Sequence, residues 1–308
     1  MTATEMNRSK LRTVDGVLLL DKPAGLTSNQ ALQRVKRLLR ARKGGHTGSL
    51  DPAATGMLPL CFGEATKICA YMLDADKTYR VTARLGEATD TGDSDGKVVA
   101  TAAIPELTAV DWQSVFARFT GPIEQVPPMY SALKVAGKRL YELARKGQSV
   151  DRASRTVQVH ELVLLERHGS RLVFRVRCSK GTYVRTLVED MAAAAGTVAY
   201  TAALHREAVG DFRAQDMLDL ADAERIAEQG PEVLEARLLP PDRVLSGWPV
   251  CRLSPEEARR FAAGQAVAID DAGTGSVRVY GEDKRFLGIG ELAREGRLAP
   301  RRVFGRST

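Results

Sequence analysis

The sequence predicts an α+β protein of two domains. Apolar residues occupy alternate positions over Lys77–Leu85 and again over Leu172–Cys178, which is the period of half-buried β-strands. Helical periodicity separates such strands, most clearly over Ser28–Lys43. A chain of 308 residues has the length of about two domains. We therefore expect one large domain over residues 14–245 and a small one over residues 246–308.

The first elements of the large domain follow from local signals. Residues 1–13 are expected to form a disordered arm. Val17–Leu20 is a short apolar run that predicts a strand ending at a turn. The helix over Ser28–Lys43 is predicted to be capped by Ser28 and to stop at a pair of glycines. Gly44–Pro59 is predicted to be a loop, and Ala65–Leu73 a second helix.

The middle of the chain carries the two alternating strands and an insertion between them. After the strand ending at Cys178, a short polar turn leads into a helix that stops near Gly196. Gly121–Arg152 contains Pro and Gly, and five basic residues lie between positions 134 and 146. This composition predicts a mobile insertion with a short helix over Arg139–Lys146.

The final segment has the signals of a separate β-rich module. Asp242–Pro249 is a plausible linker. Ser254 is followed by Pro255 and then by Glu257, which predicts a capped helix ending near Gly264. Three short strand candidates follow, namely Val277–Tyr280, Phe286–Ile289 and Arg302–Phe304.

The positive charge of the chain is concentrated in one segment. The formal net charge is +7, and residues 22–50 contain seven basic residues and no acidic one. Outside this segment the two signs are equal, at 38 each. Such a segment indicates a polyanionic partner, with nucleic acid first. A solvated basic helix face is the alternative that charge alone leaves open.

Several classes of protein are disfavoured. The sequence has no run of about 18 apolar residues, so we expect no transmembrane helix and no membrane partner. The four cysteines contain no C-x-x-C pair, which argues against a disulfide scaffold and a structural zinc site. The N-terminus lacks an apolar signal region, and the expected compartment is the reducing cytoplasm.

One loop has the residues for chemistry. The run GGHTGSLDPAATG places His46 and Asp51 among glycines and prolines. Glycine lets a backbone approach a ligand, and Pro52 restrains the chain after the acid. A carboxylate beside a basic helix would repel phosphate, so it suits contact with a sugar or base carbon. The alternative is a turn in which Asp51 only holds the loop.

Four motifs in this order resemble the TruB family, the bacterial tRNA pseudouridine-55 synthases. They are DGVLLLDKPAGLTS, GHTGSLDPAATGMLPLCFGEATK, DKTYRVTARLGEATDTGDSDG and CSKGTYVRTL. The resemblance implies the pseudouridine-synthase fold, a mixed, largely antiparallel sheet with flanking helices. It also implies a thumb-like insertion at about residues 121–152 and a PUA-like RNA-binding domain over residues 246–308.

The reaction that the resemblance implies is isomerisation of uridine 55 in the T-loop of tRNA. It requires no metal and no cofactor. Asp51 matches the catalytic carboxylate of the family, which is ionised at neutral pH. Arg185 matches the cation that pairs with it, and Tyr79 a catalytic residue of the pocket that stacks on the target uracil. From the pattern alone, Tyr79 would be a core tyrosine and Arg185 a surface cation.

The resemblance also implies substrate-binding residues. His46 would contact the flipped nucleotide, Leu204 would line the pocket, and Lys22 would support or neutralise the active-site loop. Tyr183 and Arg185 would point about 200° apart on one helix, so both reach the pocket only if Tyr183 lies in the preceding turn. RNA phosphates are expected to contact the basic helix and the insertion, through Arg34, Arg37, Arg40, Lys43, Lys134, Lys138 and Arg139.

The expected partner is therefore tRNA, through its T-loop and T-stem. The family suggests a monomer without an obligatory protein partner. Two other functions stay open: a non-catalytic tRNA-binding or folding factor, and a guide-RNA-dependent pseudouridine synthase. An acid in a basic cleft argues against the first, since RNA binding alone does not need one. The short N-terminal arm argues against the second.

Overall fold

The computed structural model describes residues 11–305, apart from residues 132, 136, 145, 271 and 272. Residues 1–10 of the expected arm lie outside the described residues. Residues 11–13 join the fold, because the Arg12 backbone pairs with Ala41 and its guanidinium lies 2.5 Å from the Glu235 carboxylate. The predicted arm is therefore wrong for its last residues.

The strands of the first part of the chain lie at defined ranges. In chain order they are β1 Gly16–Lys22, β2 Gly44–His46, β3 Thr55–Phe62, β4 Lys77–Leu85, β5 Glu87–Thr89, β6 Val98–Thr101, β7 Gly121–Gln125, β8 Lys134–Val135, β9 Lys138–Arg139, β10 Arg155–His168, β11 Arg171–Cys178, β12 Ala199–Val209 and β13 Leu218–Asp219. The predicted strand over residues 77–85 is confirmed, and the one over residues 172–178 starts one residue earlier.

Nine of these described strands form one sheet. Its order is β13-β1-β3-β12-β4-β11-β10-β7, with β2 added beside β3. The β13–β1 and β12–β3 pairs are parallel, and the other pairs are antiparallel. The sheet is thus mixed and largely antiparallel, as the resemblance to the TruB family implied.

The α-helices flank this sheet. They are α1 Ser28–Leu38, α2 Cys69–Asp74, α3 Ala109–Arg118, α4 Leu140–Ala144, α5 Val184–Ala194, α6 Leu220–Ala227, α7 Pro231–Glu235 and α8 Pro255–Ala262. Short 3₁₀ helices cover Gly63–Ile68, Ala214–Asp216 and Pro241–Leu245, so the helix predicted over residues 65–73 is split in two. In the described part of the chain, no helix is long and apolar enough to cross a membrane.

Helix α1 is capped by Thr27 and not by Ser28. The Thr27 hydroxyl accepts from the Gln30 backbone N–H, and the Gln30 side chain accepts from the Thr27 N–H, which makes a capping box. The Ser28 hydroxyl instead bonds both the N–H and the C=O of Leu50. The start of the helix is thereby tied to the loop that carries Asp51.

The same helix ends five residues before the predicted Lys43. Arg40 has a φ of +52°, and the N–H of Ala41 reaches back to the Lys36 carbonyl at 3.0 Å. These features form a Schellman-type end, with arginine where glycine is usual. Residues 44–46 and 55–62 are then paired strands, so the predicted 44–59 loop shortens to residues 47–54.

Two of the apolar clusters that lie against the sheet border the candidate site. One contains α1, α6 and buried residues of β1 and β3. The other contains α3, α5 and buried residues of β4 and β11. Tyr79 of β4 and Leu204 of β12 pack against both clusters. The candidate site therefore lies where the two clusters meet.

The insertion begins later than the sequence predicted. Residues 121–125 form β7, which pairs with β10 at the sheet edge, so the insertion starts after Gln125. Its described parts include the β8–β9 pair and helix α4, which covers the middle of the predicted short helix.

The C-terminal module, residues 250–304, contains a second sheet. Its strands are β14 Val250–Leu253, β15 Val267–Ala268, β16 Gly275–Gly281, β17 Phe286–Ala293 and β18 Arg297–Val303, in the order β14-β16-β17-β18-β15. The Ser254–Glu257 capping box and Pro255 at the helix start are confirmed. Strands β14 and β15 were not predicted, because four and two residues carry too little pattern.

Candidate active site

The loop between β2 and β3 holds Asp51 at the edge of a cleft. Gly48 in this loop has a φ of +70°, a conformation that favours glycine. The Ala54 N–H donates to the Asp51 carbonyl at 3.1 Å, and the Ser28 hydroxyl holds Leu50 from the side. The loop is thus fixed on both sides of the carboxylate, which leaves the Asp51 side chain 44% exposed.

Lys22 supports this loop from below. Its side chain is fully buried, and Nζ donates to the carbonyls of Pro23, Leu26 and Pro52 at 2.8, 2.8 and 3.3 Å. Burial lowers the pKa of Lys22 to about 8, against the attraction of Asp51. The prediction of Lys22 as a substrate-binding residue is therefore wrong: a buried ammonium with three carbonyl partners holds the loop and does not face a ligand.

Arg185 is the central partner of Asp51. Its Nε lies 3.2 Å from Asp51 Oδ2, and its side chain is 7% exposed. Nη1 lies 3.3 Å from Asp93 Oδ2 and donates to the Thr91 carbonyl at 2.8 Å. Nη2 donates to the Tyr130 carbonyl at 2.7 Å. The guanidinium therefore joins the loop, the 90–97 turn and the insertion.

Opposing effects set the ionisation of Asp51. Burial raises the pKa of its carboxyl, Arg185 lowers it, and the negative charges of Asp93 and Asp95 raise it again. No role was predicted for Asp93 from the sequence, and its contact with Arg185 was missed. The signal was the run of three aspartates, whose partner lies about 90 residues away in the chain.

Arg206 is a second site residue that the sequence reasoning missed. Its side chain is buried, Nε donates to the Met57 carbonyl at 2.6 Å, and Nη2 donates to the Gly48 carbonyl at 2.9 Å. Its positive charge also acts on the Tyr79 phenol and lowers the pKa of that group, against the larger effect of burial. Gly56 lies so close to the Arg206 backbone that a Cβ there would be 2.4 Å from its carbonyl oxygen. A charged residue inside the β12 strand was the available signal.

Tyr79 of β4 and Leu204 of β12 lie on neighbouring strands of the sheet. Burial raises the pKa of the Tyr79 phenol, and Arg206 opposes that change. The phenol therefore stays protonated at neutral pH. Leu204 lines a small recess together with Asp51 and Arg185. The structure thus brings Leu204 to the Asp51–Arg185 pair, whereas Tyr79 lies opposite Arg206 of β12.

The cleft in front of Asp51 has a volume of about 1090 Å³. The start of α1 and the Asp51 loop line one side, and the 90–97 turn lines another. Tyr130 and Tyr141 of the insertion also line it. His46 lies in its wall, where burial and then Arg206 lower the imidazole pKa, so the ring is neutral at neutral pH. The described side chains lining this cleft do not include Tyr79 or Tyr183.

Tyr183 lies in the turn before α5, at the N-cap position, with φ and ψ of −95° and 108°. This is the position that the sequence argument required for Tyr183 and Arg185 to approach one site. The Tyr183 ring lies under the Arg155 guanidinium, whose central carbon is 4.9 Å from the ring centroid.

The predicted phosphate-binding residues are not gathered at the cleft. Arg34 lies 3.8 Å from the Glu224 carboxylate, and Arg37 Nε donates to Gln33 in its own helix. Arg40 and Lys138 are exposed. The remaining predicted residues are Lys43, which is also exposed, and Lys134 and Arg139, whose side chains lie outside the described residues. Among the described residues, no group of three or more His, Cys, Asp or Glu is suited to a metal ion.

Family models cover almost the whole chain. Residues 36–184 match the model described as TruB family pseudouridylate synthase (N terminal domain). Residues 185–246 match tRNA pseudouridylate synthase B C-terminal domain, and residues 249–304 match Pseudouridine synthase II TruB, C-terminal.

Named relatives match this chain over nearly the full length of both proteins. A Pseudomonas putida protein named tRNA pseudouridine synthase B is 50% identical over 295 residues, 95% of this chain and 96% of that protein. A Nitrosococcus oceani protein of the same name is 48% identical over 301 residues, 97% of this chain and 98% of that protein.

Solved structures agree in fold. One chain from the structure of an H/ACA RNP bound to a substrate RNA containing 2′-deoxyuridine has a TM-score of 0.73 at 21% identity, covering 99% of this chain and 88% of that one. A chain of a Cbf5-Nop10-Gar1 complex has a TM-score of 0.71 at 23% identity, covering 96% and 82%. By its family models and its near-full-length relatives, this chain belongs to the TruB family of pseudouridine synthases, which are isomerases.

Proposed function

We propose that this enzyme converts uridine 55 in the T-loop of tRNA to pseudouridine. The observation that carries the proposal is the Asp51–Arg185 pair, a carboxylate held 3.2 Å from a buried guanidinium at the edge of a large cleft. Relatives named tRNA pseudouridine synthase B, which are 47–50% identical to this chain, support tRNA as the substrate.

The chemistry requires one glycosidic bond to break and another to form. The N1–C1′ bond breaks, the uracil turns, and C5 bonds to C1′ while the C5 proton is lost and N1 gains a proton. The atoms therefore balance without an oxidant, a reductant or water. Asp51 starts this exchange as an ionised carboxylate, which can add to carbon or accept a proton. Arg185 keeps it charged and oriented.

Access to a stacked T-loop base requires base flipping, which costs a few kcal/mol. The cleft accommodates an extruded nucleotide, and the neutral His46 ring in its wall supplies a flat surface that offsets part of the lost stacking. Leu204 gives the uracil an apolar contact in the recess beside Asp51. Contacts from Tyr79 and Tyr183, which lie outside the lining of the cleft, are part of the same proposal.

Tritium release tests the assignment. The purified chain alone is mixed with tRNA transcripts carrying tritium at C5 of every uridine, and with a transcript in which uridine 55 is replaced by cytidine. We expect release from the first and none from the second. Release from both would move the target to another uridine. Binding without release would favour the folding factor, and release only with guide RNA and added proteins would favour the guide-dependent enzyme.

The pH profile of this reaction is expected to depend on Asp51. The ionised form reacts and burial raises its pKa, so the rate should fall, as the solution is acidified, at a pH above the ordinary carboxyl value of 3.8. Asp95→Asn removes a negative neighbour that raises this pKa, so the acid limb should move to lower pH. Single-turnover rates from neutral to acid pH check this, and an acid limb that stays in place would contradict it.

Affinity for tRNA is expected to come largely from phosphate contacts of α1 and the insertion. We propose that Arg34, Arg37, Arg40, Lys43, Lys134, Lys138 and Arg139 contribute. For Arg37→Gln, the slope of log Kd against log salt should shrink by about 0.7–0.9 if one phosphate contact is lost. Filter binding over a salt series measures it, and Gln33→Ala on the same helix is the control. An unchanged slope would remove Arg37 from the interface.

A further inference from the structure

Strand β7 ends at Gln125, whose side chain is 1% exposed. Its amide makes two hydrogen bonds to one residue far away in the chain: Oε1 accepts from the Tyr183 N–H at 3.0 Å, and Nε2 donates to the Tyr183 carbonyl at 3.2 Å. The Gln125 amide thus makes the pair of hydrogen bonds that a neighbouring strand would make to the Tyr183 backbone in a sheet. Both polar groups of one buried amide are satisfied by the same backbone unit.

The residue held in this way begins the helix of the active site. Tyr183 is the N-cap of α5 and has no side-chain cap of its own. Its carbonyl also accepts the helical N–H of Leu187 at 3.0 Å. Two residues further on, Arg185 contacts Asp51. The position of the Tyr183 backbone therefore sets where its own side chain and the first turn of the helix lie.

The other end of the insertion reaches the same residue. Arg155, the first residue of β10, places its guanidinium over the Tyr183 ring and donates to the Gly181 carbonyl. Gln125 is the last residue before the insertion and Arg155 follows its end, so both ends of the insertion are attached to Tyr183. The Tyr130 carbonyl, inside the insertion, accepts from Arg185.

We infer that Gln125 is a positioning residue of the reaction, which acts through Tyr183. It fixes the Tyr183 backbone, and with it the direction of the ring that we propose contacts the nucleotide, and it links that ring to the insertion. The expected kinetic effect rests on the proposed function, whereas the Gln125–Tyr183 contact is seen in the structure itself. The expected effect falls on the rate of the bound complex and not on tRNA affinity, since Gln125 is buried and its amide is bonded to Tyr183.

A first experiment tests the Gln125–Tyr183 contact in the protein without tRNA. Gln125→Met has similar length and lacks both hydrogen-bonding groups, and Gln113→Met, on the exposed face of α3, is the matched control. Amide hydrogen exchange of Tyr183 should accelerate about tenfold or more in Gln125→Met, with Leu187 in the same helix unchanged. Unchanged exchange at Tyr183, or equal acceleration along all of α5, would overturn the inference.

A second experiment tests the effect of this contact on the reaction rate with a double-mutant cycle. Gln125→Met should lower the single-turnover rate of tritium release about ten- to hundredfold, with Kd for tRNA changed less than about threefold. In a Tyr183→Ala background the same change should cost less than about threefold. The ring through which Gln125 is inferred to act is already missing in that background. A full cost in that background would show a merely structural effect and overturn the inference.

Two further measurements keep these outcomes separable. Gln125→Asn retains the amide but is too short to reach Tyr183, so it should give the same kinetic signature even if the methionine variant folds poorly. A wild-type chain without tritium release would refute the proposed function, while the exchange experiment would still decide whether Gln125 holds Tyr183.

Discussion

Asp51→Asn is expected to abolish turnover, with a loss of at least about a thousandfold in the single-turnover rate of tritium release. Asparagine has nearly the same shape, so the loop held by Ser28 and Lys22 should survive. The amide cannot act as a carboxylate nucleophile or base. Affinity for tRNA should stay within about tenfold, because Asp51 is negatively charged and opposes phosphate binding.

Asp95→Asn is the matched control for this prediction. Asp95 lines the same cleft and is also an aspartate, but the ion pairs of Arg185 are with Asp51 and Asp93 and not with Asp95. Its rate at neutral pH should stay within about tenfold of the wild type. If Asp51→Asn retained turnover, or lost binding and fold together, Asp51 would be a residue that only holds a turn. The alternative that the sequence left open would then be correct.

Much of the site was predictable because its residues lie in local motifs. The glycines and prolines around Asp51 indicated a fixed carboxylate, and the loop is held on both sides. The 3.6-residue period of a helix required Tyr183 to lie in a turn if it shares a site with Arg185, and Tyr183 is the N-cap. Strand β4 was predicted to its last residue by alternation alone.

The residues that were missed act across long sequence distances. Arg206 reaches Gly48, 158 positions away, and Gln125 reaches Tyr183, 58 positions away. No local period predicts a buried guanidinium or amide that satisfies a distant backbone, since its partners are set by the order of strands in the sheet. Lys22 was misassigned because its local sequence does not show that the fold buries it completely and gives its ammonium three carbonyl partners.

The start of the insertion was also predicted wrongly, because residues of a sheet strand were assigned to it. Its composition indicated a mobile segment from Gly121, yet residues 121–125 complete the sheet edge beside β10. Pro122 fits there because an edge strand leaves some N–H groups unpaired. Composition therefore predicted that an insertion exists, whereas its boundary depends on the pairing of β7, which only the register of the sheet determines.

Arg185→Lys is expected to lower the single-turnover rate about a hundredfold or more, although it conserves the charge. The guanidinium uses three nitrogens in three directions, toward Asp51, toward Asp93 and Thr91, and toward Tyr130. An ammonium has one nitrogen and cannot span these partners. Lysine would keep Asp51 ionised through its charge but would leave the carboxylate free to rotate and two carbonyls without a donor.

Arg177→Lys is the control, because the Arg177 side chain is 47% exposed and its ion pair with Asp76 is open to solvent. It should change the rate less than about threefold. The pH profile separates two roles for Arg185. If the cation acts only by holding Asp51 ionised, Arg185→Lys should keep the plateau rate and, at most, move the acid limb. A plateau lowered at every pH, with the limb in place, is the expected result, because the planar fork orients the carboxylate as well as charging it.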